Sequence, residues 1–231
     1  MAAPRSRGET VPVRPSHPPL APLRCCLLSG GASRRMGRDK ALLSHPEGGT
    51  WLERQLHLLA GLGAPVTLLS GWDAHQEQAA ALAAGLGVDL ELLREPQPPE
   101  GPLVALGALM EAHPDERLLL CPIDMPALTL CCLETLFEAA SGAPGQIWIA
   151  TAQRPQPLLG LYPSDSAHRQ SLQAALARGE RGLQRWLAGE VVQSLALPAS
   201  ALANVNTPDD LDSWRAAIRS RPDCSANRCS P

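Results

Sequence analysis

Short unbroken apolar runs alternate along this chain with longer stretches in which apolar residues recur every three or four positions. Leu23–Leu28, Val66–Leu69, Leu90–Leu93 and Leu118–Cys121 are strand candidates. Between the first two, Leu52, Leu56 and Leu59 fall at i, i+4 and i+7 and so share one helical face; Leu103, Gly107 and Met110 repeat the spacing before the fourth. Strand–helix alternation of this kind predicts a single α/β domain of Rossmann-like type, a mostly parallel sheet with helices on both faces. The second half is less regular. Ile147–Ala152, Pro157–Tyr162 and Val191–Leu197 read as strands, with helices near 165–178 and 208–218.

Residues 1–22 carry no apolar period and are rich in Pro, Arg and Ser, which predicts a disordered tail; 219–231 look alike, leaving a folded unit over 23–218. At 231 residues, one large domain suits the chain better than two small ones. The net charge of −3, without a run of Lys or Arg, gives no support to nucleic-acid binding, so an anionic ligand needs a local site. There is no apolar stretch of the ~18 residues that a membrane span requires, and the prolines at 4, 12, 15, 18, 19 and 22 break any amphipathic transit helix. Seven cysteines, two pairs of them adjacent in apolar surroundings and none in CxxC spacing, predict buried thiols in a reducing compartment, the cytoplasm.

Candidate chemistry concentrates in Leu27-Leu28-Ser29-Gly30-Gly31-Ala32-Ser33-Arg34-Arg35-Met36-Gly37-Arg38-Asp39-Lys40, directly after the first strand. Open parallel sheets place ligands at that end. Small residues at 29–32 let backbone N–H groups approach a phosphate, and Arg34, Arg35, Arg38 and Lys40 follow within seven positions. Neither G-x-x-x-x-G-K-[ST] nor G-x-G-x-x-G is present. On composition alone the segment reads equally as a solvated surface loop. A second candidate is Asp124, in Cys121-Pro122-Ile123-Asp124-Met125-Pro126 just past the fourth strand. Mg²⁺ takes one or two carboxylates together with phosphate oxygens and water, and a turn aspartate held by its prolines is the alternative.

LSGGASRRMGRDK resembles the LxGGxSxRMGxDK signature of the molybdenum cofactor guanylyltransferase family, and Pro122–Pro126 resembles its PxDxP motif. Glu100–Leu106 is similar to the family's GPLAGI stretch, and Asn204-Val205-Asn206-Thr207-Pro208-Asp209-Asp210-Leu211 to its NxNTPxDL ending. The resemblance spans about residues 24–218 and implies transfer of GMP from GTP to molybdenum-bearing molybdopterin, giving the guanine dinucleotide and pyrophosphate. It assigns the nucleotide to Leu28, Ser29, Gly30, Gly31 and Lys40, and the Mg²⁺ cofactor to Asp124. Lys40, with Arg35 or Arg38, would stabilise the departing pyrophosphate. The attacking phosphate oxygen is already anionic, so no general base is required.

Several positions depart from the family pattern. Ser29 stands where Ala is usual, Ser70 (or Gly71 or Trp72) near an asparagine that contacts the base, and Glu95 near an aspartate at a strand end. Thr207, Pro208 and Asp210 are explained as a helix cap, whereas Asn204 and Asn206 are candidates for the pterin or the metal. Arg178–Gly182 reads as a solvated interhelical turn or a phosphate contact, Trp186 as core or pocket rim, and His75 and His168 as exposed helix positions. Cytidylyl relatives usually carry Ala-Gly in place of Gly30-Gly31 and Pro-Lys in place of Asp39-Lys40; glycine here leaves room for a purine. GTP and molybdopterin are the expected substrates, with transient contact to other molybdenum cofactor enzymes. The alternatives are a cytidylyltransferase acting on the pterin or on a sugar or alcohol phosphate, and a non-catalytic nucleotide-binding partner.

Overall fold

The computed structural model describes residues 21–30, 36–95 and 99–219. Its seven strands are β1 (Leu23–Leu28), β2 (Val66–Leu69), β3 (Leu90–Leu93), β4 (Arg117–Pro122), β5 (Ile147–Thr151), β6 (Pro155–Pro163) and β7 (Val192–Ala196). They form one sheet in the order β3-β2-β1-β4-β6-β5-β7. The strands β3, β2, β1 and β4 are mutually parallel, β6 runs against both β4 and β5, and β7 is parallel to β5. From β1 the chain first winds outward through β2 to β3, then returns to the opposite side of β1 as β4. The crevice beyond the carboxyl ends of β1 and β4 is therefore a topological switch point, where such sheets bind ligands.

The helices are α1 (Trp51–Ala60), α2 (Asp73–Leu82), α3 (Pro102–Ala112), α4 (Leu130–Ser141), α5 (Ser166–Ala177), α6 (Leu183–Leu187) and α7 (Pro208–Arg219). Each central strand alternates its side chains between two apolar clusters. Cys25, Leu27, Leu119 and Cys121 pack with Leu52, Leu56, Leu59, Leu133 and Leu136 on one face. Cys26, Leu118 and Leu120 pack with Leu103, Leu106, Met110 and Leu172 on the other. Every residue of β4 is buried, in keeping with an apolar run that has no polar alternation.

Local sequence sets the helix starts. Thr50 and Glu53 form a reciprocal capping box on α1, with Glu53 N–H donating to Thr50 Oγ1 at 3.2 Å and Thr50 N–H to Glu53 Oε2 at 2.9 Å. On α7, Asp210 N–H donates to Thr207 Oγ1 at 3.2 Å, and Asp210 Oδ2 accepts from the N–H groups of Asn206 and Thr207 at 2.9 Å, so the expected cap is present.

Three expectations need correction. His75 is buried, 2% exposed, because α2 turns its His75–Ala79 face inward. His168 is half-buried against Asp165, the N-cap of α5, at 2.8 Å. Cys131 is exposed: the inward face of α4 is Cys132, Leu133, Leu136 and Ala140, and its neighbour is rotated ~100° away. Just ahead of β1, Arg117 donates its N–H to Pro22 O at 2.8 Å and its Nε–H to Ala21 O at 3.0 Å. Residues 1–20 and 220–231, which carry the remainder of both tail expectations, lie outside the described residues.

Arg117 is 3% exposed and its Nη1 has no hydrogen-bond partner among the described residues, so the Ala21 carbonyl matters to it. A chain truncated through residue 22 is expected to be about 1–3 kcal/mol less stable than one truncated through residue 20, the cost of stranding a buried donor. Urea melts of the two would show equal midpoints if these contacts contribute nothing.

Candidate active site

Three loops meet at the carboxyl ends of β1 and β4. Ser29 leaves β1 with its N–H on Leu69 O at 3.0 Å, and Ile123 N–H on Leu28 O at 3.1 Å ties the aspartate loop to the same strand end. The loop before α7 joins them, Val205 N–H donating to the Asp124 carbonyl at 2.9 Å. Backbone bonds thus fix the loops that carry Gly30, Asp124 and Asn206.

The side chains complete a charged cluster. Lys40 is 9% exposed. Its ammonium donates to Asn206 Oδ1 at 2.6 Å and lies 3.5 Å from Asp124 Oδ2. Burial pushes the Asp124 carboxyl above its ordinary range, and the Lys40 charge only partly offsets this. Such a carboxylate is under-compensated in the ligand-free protein. No cluster of three or more His, Cys, Asp or Glu side chains suited to a metal occurs among the described residues. A single half-buried carboxylate beside a lysine fits Mg²⁺ shared with a polyphosphate, because that ion draws its other ligands from phosphate and water.

Asp124 stands between two cavities. One, of about 220 Å³, is lined by Leu28, Gly30, Glu95, Gly101, Ala105 and Asp124. The other, of about 410 Å³, is lined by Asp124, Arg154, Gln156, Leu158, Asn204 and Asn206. Asn204 Nδ2 donates to Gln156 Oε1 at 3.2 Å, bridging the α7 loop to β6 across the second cavity. A reacting centre at Asp124 can therefore receive one substrate from each side.

In the first cavity Glu95 is the distinctive group. Its N–H donates to Ser70 O at 3.2 Å, so its place follows from β2 and β3. Its Oε2 is buried without a hydrogen-bond partner among the described residues, and burial raises the carboxyl's pKa. A Cβ on Gly30 would collide with that same oxygen. The room created by glycine is filled by the Glu95 carboxylate rather than left open for a purine. Gly101 is required too: its φ is +115°, and a Cβ would lie 2.9 Å from Arg181 O. The 178–182 segment is the α5–α6 turn, packed on the start of α3 through Leu103 N–H to Arg181 O at 3.2 Å. Trp186 belongs to the core, stacked on Tyr162 with its Nε1–H on Ser171 Oγ at 3.1 Å.

Leu28, Gly30, Lys40, Glu95, Asp124, Asn204 and Asn206 are thus brought together. Gly31 and Arg35, like Arg34, lie outside the described residues. Arg38 is exposed. Ser29 and Ser70 are buried behind the cleft, with Ser70 Oγ donating to Ser29 O at 3.0 Å. Sequence reasoning assigned nothing to Arg154, on the β5–β6 turn, or to Gln156, at the start of β6, neither of which has a motif of its own, nor to His75.

Residues 25–196 match the family described as MobA-like NTP transferase domain. The chain belongs to that family. It is 35% identical over 214 residues to a protein of Rhodopirellula baltica named "probable molybdenum cofactor guanylyltransferase", covering 89% of this chain and 96% of the relative. A protein of the same name in Synechococcus elongatus is 34% identical over 197 residues, covering 82% and 95%. The fold is shared with molybdopterin-guanine dinucleotide biosynthesis protein A of Archaeoglobus fulgidus (TM-score 0.67, 21% identity, 86% of this chain and all of that one). It is also shared with 4-diphosphocytidyl-2C-methyl-D-erythritol synthase of Anaerococcus prevotii (TM-score 0.69, 10% identity, 86% and 96%). No helix among the described residues is long and apolar enough to cross a membrane.

Proposed function

We propose that this enzyme transfers GMP from GTP to the terminal phosphate of molybdenum-bearing molybdopterin and releases pyrophosphate. One observation carries the reading: Asp124, paired with Lys40, lines both of two cavities, with an unpartnered carboxylate in the first. Guanine presents its N1–H and 2-amino group side by side, and an ionised carboxylate accepts from both. Glu95 is the group placed to receive them. The larger cavity, with Arg154, Gln156 and the amides of Asn204 and Asn206, suits a polar pterin phosphate.

Transfer then proceeds by attack of a molybdopterin phosphate oxygen on the α-phosphorus of GTP, with the α–β bridging oxygen leaving on pyrophosphate. The nucleophile is an anion at neutral pH, so the protein supplies position and charge rather than a base. Mg²⁺, held by Asp124, would neutralise phosphate charge when bound. Lys40 turns from Asp124 and Asn206 toward the departing pyrophosphate, and the glycine-rich loop contributes the Gly30 backbone N–H, that of Ser29 being held by Leu69 O. Asn206, released by Lys40, is available to the acceptor. The reaction is expected to require every component: pyrophosphate appears with GTP, Mg²⁺ and molybdopterin together and falls to background when any one is omitted. Tight GTP binding with no acceptor-dependent turnover would identify a nucleotide-binding partner instead.

A further inference from the structure

His75 lies outside the cavities, yet it joins both ends of the glycine-rich loop. Its side chain is 3% exposed and every ring nitrogen is engaged. Nε2 is 2.8 Å from Asp39 Oδ2. Nδ1 is 2.8 Å from Ser70 Oγ and 3.1 Å from Ser29 Oγ. A carboxylate only accepts, so Nε2 carries the proton donated to Asp39. Nδ1 is then the acceptor, within reach of both the Ser70 and the Ser29 hydroxyl, and the Ser70 hydroxyl also lies 3.0 Å from Ser29 O. One imidazole on α2 therefore grips both Ser29, where the chain leaves β1, and Asp39, the neighbour of Lys40. These contacts also account for two departures from the family pattern, Ser29 and Ser70, whose side-chain oxygens both lie within hydrogen-bond distance of the same ring nitrogen.

The grip extends to the lysine. Asp39 Oδ1 accepts from Ala41 N–H at 3.0 Å, and Ala41 O accepts from Leu52 N–H of α1 at 2.9 Å. Lys40 is thereby held between a carboxylate fixed on His75 and a buried alanine fixed on α1, with its ammonium reaching Asn206 and Asp124 on the far side. Burial alone would raise the Asp39 pKa, but the hydrogen bond from His75 together with the Ala41 N–H brings it below the ordinary carboxylate range, so the ionised form is the one held.

We propose that His75 is a positioning residue for the triphosphate: through Ser29 and Asp39 it sets Gly30 and Lys40 in the geometry that binds GTP. The proposal rests on the guanylyl-transfer reading for its substrate, and its test separates the two. In His75→Phe, the KM for GTP is expected to rise about tenfold or more. The KM for molybdopterin should stay within about twofold, and the GTP-to-CTP preference should be unchanged, because neither cavity contains His75. A purely structural histidine would lower the melting temperature and the active fraction while leaving both KM values in place. His75→Gln, which keeps an N–H facing Asp39, is expected to recover most of the loss. In Asp39→Asn a single carbonyl oxygen cannot serve both Ala41 and His75, so this variant should reproduce the GTP effect and decides the matter if His75→Phe fails to fold. Hydrogen exchange of the ligand-free protein should show residues 36–43 opening faster in both variants. That readout holds whatever the substrate; failure of the guanylyl-transfer reading shows instead as absent turnover in the wild type. Unchanged GTP KM and unchanged exchange in both variants would overturn the proposal.

Discussion

Asp124→Asn lowers turnover by at least about a hundredfold while the ligand-free protein melts at a higher temperature than the wild type at neutral pH. The first effect follows from charge. The amide keeps the shape of the side chain but gives up the anion that a divalent cation requires, and a hundredfold corresponds to ~2.7 kcal/mol of transition-state stabilisation. The second follows from the direction of the Asp124 shift. Burial raises its folded pKa, and Lys40 at 3.5 Å only partly offsets this. A carboxyl whose folded pKa lies above its unfolded value favours folding most when protonated, below the ordinary carboxylate range. That contribution is lost as pH rises through the folded value. At neutral pH the carboxylate is thus a cost to the ligand-free fold, and the neutral amide removes it. The melting difference should shrink as pH falls through the carboxylate range. Calorimetric melts from pH 4 to pH 8, beside steady-state rates at saturating Mg²⁺, measure both. Near-normal turnover would make Asp124 a turn residue held by its prolines.

GTP is used better than CTP by two or more orders of magnitude, and Glu95→Gln removes most of that preference. The unpartnered Oε2 of Glu95 lines the smaller cavity beside Gly30, where any larger residue would displace it. Guanine offers two adjacent donors to that carboxylate; cytosine offers one, beside an acceptor. Each buried polar group left unbonded costs roughly 1–3 kcal/mol, so two such losses separate the triphosphates by the stated factor. Glutamine accepts through one oxygen and presents a donor where guanine has another. Its kcat/KM for GTP is expected to fall at least about tenfold, with the CTP value little changed. An equal loss for both triphosphates would assign Glu95 to the loop's architecture rather than to the base.

The parallel half of the sheet was legible because β1 to β4 are nearly unbroken apolar runs whose ends coincide with polar or small residues. The helix α4 was not foreseen, since Leu130-Cys131-Cys132-Leu133 has no clean polar face to give a period. His75 misled for a related reason. The helix α2 is so rich in alanine and glutamine that its sequence does not say which face is inward, and the bonds to Ser29, Ser70 and Asp39 decide it. Lys40 and Asp124 could be named because their motifs are local in sequence. Their contact with Asn206, 166 positions from Lys40, arises only when β1, β4 and the α7 cap are assembled. The position of Glu95 against Gly30 was equally invisible: glycine at 30 signals space, and only the fold shows which side chain fills it.

The most direct measurement of the central claim is nucleotide choice in the complete reaction. Enzyme, Mg²⁺ and molybdenum-bearing molybdopterin are incubated with GTP, CTP or ATP labelled at the α-phosphate, and label retained on the pterin product is counted against pyrophosphate released. Guanylyl transfer predicts one label on the pterin for each pyrophosphate with GTP, and at most about one hundredth of that rate with CTP or ATP. Equal use of GTP and CTP, or a preference for CTP, would contradict it and make this chain a cytidylyltransferase.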